Sequence, residues 1–262
     1  KTLINKNINI FLYYEKKIEH NQKSRTIGIS KNNFDFIQKE IIKLNQNLIW
    51  KINKIEIFSE KIPNQKLLNF EKDKKDLFLM IKNNQFYNLL NKKLNDSKLF
   101  KKSLIKNKNF YKKIVENKKY DLIINCESNN QIVKKYFSKK IEKNYNSRAY
   151  TTILDHKKVA NKKAVQIFTR YGPLAFLPIS NTKTSVVFSI AKFKNDLSAK
   201  EILNLIKKYN KDYEIKSFQK LENFRLNFSI PREYFNKNIM IFGDSLHKIH
   251  PLAGQGFNMT LR

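Results

Sequence analysis

The chain carries only five glycines in 262 residues, and three of them, Gly243, Gly254 and Gly256, crowd into one fourteen-residue stretch. Lys, Asn, Ile and Phe are abundant elsewhere, as in a genome biased toward A/T-rich codons, and such drift removes glycine. The glycines that remain are expected where a Cβ cannot fit. The local string, Ile239 to Arg262, is IMIFGDSLHKIHPLAGQGFNMTLR, which reads as a strand, a tight turn, a rigid loop and a helix start. Gly243 allows a close turn at the strand end, and Asp244 projects a carboxylate able to bond the hydroxyls of a sugar-like chain. Pro251 stiffens the loop. Gly254 and Gly256 let backbone amides approach a flat ring, and a helix starting near Gln255 aims its positive end there, favouring negative charge on that ring.

Other elements must position this segment. Ile8 to Tyr14 is a β-prone run, expected in a mostly buried sheet, with Glu15 at its end. Phe34, Ile37, Ile41 and Leu44 repeat at helical spacing, as do Phe86, Leu89, Leu90 and Leu94. Ile52 to Phe58 alternates as one strand, and the polar stretch 60–76 reads as a hairpin or loop. Tyr120 to Cys126 is a compact apolar strand leading into the turn Glu127-Ser128-Asn129-Asn130, with Cys126 expected as a buried structural residue. Ala149 to Leu154, Ala164 to Thr169, Leu174 to Ile179 and Ser185 to Phe193 predict an antiparallel sheet. Ser198 and Glu201 form a capping-box signature for a helix after it. Asn238 to Phe242 is the short strand entering Gly243.

Composition narrows the function classes. The formal charge of +31, from 53 Lys+Arg against 22 Asp+Glu, would ordinarily point to nucleic acid or an anionic membrane. The cations are almost all Lys and are spread along the chain, without clustered Arg or a recognisable module, so no nucleic-acid partner is expected. Attraction to anionic lipid survives as a consequence of charge. One cysteine excludes an internal disulfide framework. No apolar run reaches transmembrane length. His247 and His250 lack a third ligand nearby, so no metal site is expected.

The pattern Gly-Asp-x-x-His-x-x-x-Pro-x-x-Gly-Gln-Gly-x-Asn over 243–258 resembles the second FAD motif of class A flavoprotein monooxygenases, in wording closest to the ubiquinone-biosynthesis hydroxylases. The resemblance implies that Asp244, beside Gly243, holds the ribityl chain, that Pro251 packs near the isoalloxazine, and that amides of Gly254, Gln255, Gly256, Phe257 and Asn258 face its pyrimidine edge. Arg170 to Ile179 (RYGPLAFLPI) is similar to the family's Gly-Pro-x-Ala-x-Leu-Pro strand pair beside the flavin. Ser24 to Ser30 (SRTIGIS) is similar to its Arg-x-x-x-Leu-Ser segment after the second strand. That likeness implies Arg25 near the FAD phosphates and Glu15 at the adenosine ribose. Two departures stand out. The family's Gly-x-Gly-x-x-Gly is absent, residues 1–7 read as the end of the helix that would follow it, and the chain reads as an incomplete piece lacking that motif and a C-terminal region. Glu127 to Gln131 (ESNNQ) stands where the family has Asp-Gly-x-x-Ser.

The expected fold is α/β, a Rossmann-like FAD-binding domain (1–50, 77–140 and 232–262) interleaved with a mostly antiparallel β-sheet substrate domain (51–76 and 141–231). The implied activity is flavin-dependent hydroxylation of the ring of a polyprenylated phenol or quinone precursor, with FAD as cofactor, NAD(P)H as electron donor and O2 as oxidant. No side chain is singled out as a catalytic acid or base. Expected partners are the lipid-like aromatic substrate, other quinone-biosynthesis proteins and an anionic membrane touched peripherally from the cytoplasmic side. The rival reading is a non-catalytic flavoprotein-like accessory subunit or a degenerate remnant.

Overall fold

The computed structural model of the protein describes residues 2–15, 25–71, 76–105, 107, 109–117, 119–191, 197–249 and 255–261. At the start, Ile4–Lys6 make a single tight helical turn closed by left-handed Asn7 at φ 59°. Strand β1 (Ile10–Tyr14) follows. In β2 (Thr26–Ser30) the last residue also caps α1 (Lys31–Phe36), its hydroxyl accepting from Asn33 N at 3.4 Å, and a wider helical turn continues over Ile37–Ile41. The predicted single strand Ile52 to Phe58 is in fact two, β3 (Ile49–Ile52) and β4 (Lys54–Ser59). Asn53 divides them, bonding through its N–H to Lys162 O at 3.2 Å as the chain passes from one sheet to another. Next, β5 (Ile62–Glu71) returns on β4 as a hairpin. Strand β6 (Phe78–Lys82) is central and buried through its middle, so it carries no polar alternation to reveal it in the sequence.

The order continues with α2 (Asn83–Asn95), β7 (Phe100–Leu104), α3 (Asn109–Glu116), β8 (Ile123–Asn125), α4 (Gln131–Tyr136) and β9 (Lys140–His156). Strands β10 (Lys163–Thr169), β11 (Gly172–Ser180) and β12 (Lys183–Ala191) lead to α5 (Ala199–Tyr209). Strands β13 (Ile215–Phe218), β14 (Glu222–Pro231), β15 (Phe235–Asn236) and β16 (Ile239–Ile241) precede α6 (Gln255–Thr260). The capping box forms as its spacing predicts, with Ser198 Oγ accepting from Glu201 N and Glu201 accepting from Ser198 N.

Four sheets result. The largest has eight strands, in the order β13-β9-β12-β11-β10-β4-β5 with β14 also on β9. It is antiparallel except where β10 runs parallel to β4. Strict alternation splits its faces: Leu174 and Phe176 point into a core shared with Ile202 and Ile206 of α5, all nearly inaccessible, while Pro173, Ala175 and Leu177 face the other way. Gly172 opens β11 at φ +136°, and a Cβ there would lie 2.1 Å from Ser189 O, so only glycine fits. On the second face lies the antiparallel sheet β2-β6-β3, covered on its far side by α1, α2 and by Phe257 and Leu261. The two layers are joined by Trp50, whose Nε1 donates to Asn161 O at 2.6 Å. Asn161 in turn belongs to a buried network with His156, Thr184 and Tyr213.

Two small parallel pairings complete the molecule, β1 with β7 and β8 with β16, the latter extended by β15. The expectation of a mostly buried sheet around β1 is corrected: Phe11 and Leu12 are exposed, because β1 pairs with β7 alone among the described residues. Cys126 is corrected too. It lies exposed one residue beyond β8, and partial desolvation followed by the nearby Glu127 and Asp244 carboxylates pushes its thiol up from the ordinary value.

Candidate functional site

Strands β1, β8 and β16 each end in a polar residue set, and the carboxyl ends of parallel strands are where α/β folds assemble ligand sites. Gly243 turns the chain after β16 with φ +61°, a left-handed conformation that favours glycine. Asp244 follows it in a short helical turn, with its side chain exposed. Ser245 is buried and accepts from Asn125 Nδ2 at 3.1 Å, while Asn125 O accepts from Phe242 N at 2.9 Å. The end of β8 is therefore stitched to the Gly243 turn.

The degenerate stretch 127–131 has its own order. Asn130 Oδ1 caps α4 by accepting from Val133 N at 3.1 Å, and its Nδ2 donates to Asn125 Oδ1 at 2.5 Å. Asn125 Nδ2 also donates to Glu127 O at 2.8 Å. Glu15, at the end of β1, is exposed and accepts a 2.7 Å hydrogen bond from Tyr111 of α3. Burial, then the Glu15 carboxylate, pushes the Tyr111 phenol well above its ordinary value, and Asn130 and Glu127 lie close enough to act on it as well. Tyr111, Asn125 and Ser245 thus link three strand ends. None is singled out by the sequence, because each contact spans roughly a hundred residues or more, as 96 for Tyr111 to Glu15 and 120 for Asn125 to Ser245.

A second feature is a cavity of about 390 Å³ between β2 and the open face of the large sheet. Thr26, Gly28 and Ser30 form one wall, and Ala175, Leu177, Ser185 and Val187 form part of the floor. Thr26 Oγ1 donates to Ser185 Oγ at 3.0 Å and pins wall to floor. The lining is mostly apolar, its other polar groups are neutral, and Arg25 is its one charged residue among those described. Arg25 sits with its guanidinium 5.6 Å from the Phe224 ring centroid. Thr151 also lines the cavity, is buried, and its hydroxyl has no hydrogen-bond partner among the described residues.

Asn258 of α6 closes the cavity and is bound from several directions. Its Nδ2 donates to Gly28 O at 2.8 Å, its Oδ1 accepts from Ser30 N at 2.8 Å, and Asn33 Nδ2 donates to its backbone O at 2.8 Å. Phe257 packs edge-to-face on Phe86, with centroids 6.0 Å apart. His247 Nε2 lies 3.3 Å from Gly256 O and ties the loop back to the helix. Of the residues the motif nominates, Arg25 and Asn258 meet at the cavity. Glu15, Gly243 and Asp244 lie at the strand ends. Gln255 and Gly256 open α6, with no side-chain description for Gln255, and Pro251, Gly254 and His250 fall outside the described residues.

With this arrangement in view, comparison with solved structures is decisive for the architecture. The chain superposes on PqsL of Pseudomonas aeruginosa, described as a probable FAD-dependent monooxygenase, with a TM-score of 0.74 at 10% identity over 99% of this chain and 78% of that one. It superposes equally on p-nitrophenol 4-monooxygenase PnpA of Pseudomonas putida DLL-E4, with a TM-score of 0.72 at 8% identity over 99% and 72%. The fold is that of the FAD-dependent monooxygenases. Sequence relatives of this FAD-monooxygenase-fold chain carry names from one pathway. Ubiquinone biosynthesis monooxygenase COQ6, mitochondrial, of Xenopus tropicalis is 25% identical over 179 residues, 53% of this chain and 39% of that protein. Ubiquinone hydroxylase UbiL of Rhodospirillum rubrum is 25% identical over 127 residues, 45% and 29%. The chain therefore spans about two fifths or less of those relatives' length. No family model matches it.

Proposed function

We propose that this chain is part of an FAD-dependent monooxygenase that hydroxylates the ring of a polyprenylated phenol or quinone precursor in ubiquinone biosynthesis, with NAD(P)H as electron donor. The observation that carries the reading is the mostly apolar cavity closed by Asn258, in a chain whose 243–258 segment has the wording of a flavin motif. Residues 1–50, 77–140 and 232–262 are assigned to an FAD-binding domain, and 51–76 and 141–231 to a substrate domain. The large sheet, drawn from residues 54–71 and 140–231, supports that division.

The residues fit the cofactor. Asp244 is exposed beside a glycine whose Cβ position is open, suited to accept from ribityl hydroxyls. Glu15 is exposed and accepts from Tyr111 through Oε1, and its carboxylate is assigned to the sugar hydroxyls. Arg25 supplies positive charge at the cavity wall for the negative charge of phosphate or reduced ring. The amides of 254–258 are assigned to the pyrimidine edge, with Pro251 beside the ring. Asn258 acts as a positioning residue, since its side chain is spent on β2. FAD, when bound, supplies the redox chemistry that delivers one oxygen atom from O2 to the substrate. The chain's own part is to hold the ring in the cavity, exclude water through Ile55, Leu177, Val187 and Phe224, and fix the substrate's oxygen among neutral hydroxyls.

Such a substrate resides in a bilayer, and a net charge of +31 draws the protein to an anionic, cytoplasm-facing surface. No helix among the described residues is long and apolar enough to cross one. The test is incubation of the full-length protein with FAD, NADH or NADPH and a prenylated phenol under ¹⁸O₂. The expected product carries one labelled oxygen on the ring. Flavin binding without product formation would instead support an accessory subunit, the reading favoured by the departure from the family pattern at 127–131.

A further inference from the structure

The cavity floor does not stop at the cavity. Cross-strand partners form a continuous row on one face of the large sheet: Thr151, Val187, Ala175, Gln166, Ile57 and Leu68. A second row runs Ala164, Ile55 and Phe70, and in a third Pro173 pairs with Phe168. The inner members of these rows line the cavity. The outer ones, Leu68, Phe70 and Phe168, remain 52%, 47% and 41% exposed. Phe168 cannot be turned into the core, because alternation along β10 sends Ile167 to the opposite face under α5; Leu68 and Phe70 share the face of their β4 partners Ile57 and Ile55. An apolar ledge therefore leads from the cavity to the sheet's β5 edge, two strand spacings or about 10 Å beyond Gln166.

We propose that this ledge, formed by Ile57, Leu68, Phe70 and Phe168, is the seat of an apolar chain carried by the ring substrate, with the ring in the cavity. The inference rests on the cavity being the ring site. Continuity of the floor selects the occupant: a ligand that fills the cavity and extends past Gln166 along the rows meets the apolar side chains of Ile57, Leu68 and Phe70, whereas one without a chain leaves them wet. A methylene fully removed from water strengthens binding about fourfold, and one laid on a one-sided ledge roughly twofold.

The experiment measures binding of 4-alkylphenols, from 4-methylphenol to 4-dodecylphenol, to the flavin-loaded full-length protein and to its Leu68→Ser/Phe70→Ser variant. Affinity should rise with chain length in the parent. The variant should lose about tenfold or more for dodecylphenol and less than about twofold for methylphenol. Both positions are exposed, so the variant should melt with the parent; if it does not fold, Leu68→Lys alone repeats the test. Parallel chain-length series in parent and variant would overturn the proposal. So would an unchanged phenol series combined with lost binding to phosphatidylglycerol vesicles, which would give the ledge to a bilayer surface. Ledge-dependent dodecylphenol binding without any methylphenol binding would sink the cavity reading, and with it the proposal, leaving the ledge only as an apolar binding surface.

Discussion

Asn258 ties α6 to β2 and to the Asn33 side chain of α1, and its loss should be felt in both stability and cofactor affinity. Replacing it with Leu leaves Gly28 O and Ser30 N without their side-chain partner, at roughly 2–3 kcal/mol for the two bonds and the unpaired groups. Urea unfolding of Asn258→Leu should show that drop, and flavin affinity should fall with it. Thr151 predicts the opposite sign. Its buried hydroxyl has no partner among the described residues, so Thr151→Val should leave stability unchanged or raise it by up to about 1 kcal/mol, which the same titration reads directly. At this scale the sequence was informative where chemistry is local. The turn at Gly243 and the Ser198–Glu201 cap are readable from local sequence. Tyr111, Asn125, Ser245 and the Thr26–Ser185 bond are not, because folding alone brings their partners together. Cys126 was misjudged because an apolar run leads up to it, and the strand ends one residue before it.

Among the elements, the β4–β5 hairpin is held partly by charge. Glu56 is buried on β4, and Lys66, Lys163 and Lys54 approach it at 2.6, 3.3 and 3.6 Å. Burial alone would push its carboxyl up, but Lys66 and Lys163 outweigh that and hold it below the ordinary 4.5. A lowered folded value means that the stability Glu56 contributes is complete above the unfolded value and lost as pH falls through the folded one. The urea midpoint should therefore drop below about pH 4.5 in the parent, and Glu56→Gln should flatten that arm while lowering stability at neutral pH. The cap of α5 gives an independent check: Ser198→Ala should cost about 1 kcal/mol in thermal unfolding. Strands β10, β11 and β12 were legible because one face meets α5 and the other a cavity, which keeps their residues apolar and β-branched. Strand β6 lies between two neighbours, and β7 is a Lys-rich pair partner with an exposed surface, so neither pattern stands out. The split at Asn53 is a change of sheet, and periodicity has no signal for that.

For the whole molecule, the same +31 charge that invites nucleic acid has a simpler consequence. Lysines on every surface repel one another, and salt screens them over about 10 Å at 0.1 M. The melting temperature should rise between low and moderate salt, and a basic protein without a recognition module should not shift duplex DNA at physiological ionic strength; a salt-resistant shift would reopen that class. The large sheet with one face on α5 and the other on a cavity, the strand ends near Glu15 and Asp244, and the α6 clamp are what support the proposed reading as a ring-binding flavoprotein. The most direct test of that claim is the visible spectrum of the full-length protein carrying this chain, purified and then titrated with FAD, beside its Asp244→Ala variant. Two flavin absorbance bands, FAD released on denaturation and weakened binding in the variant are the predicted result. A colourless protein that takes up no FAD would contradict it.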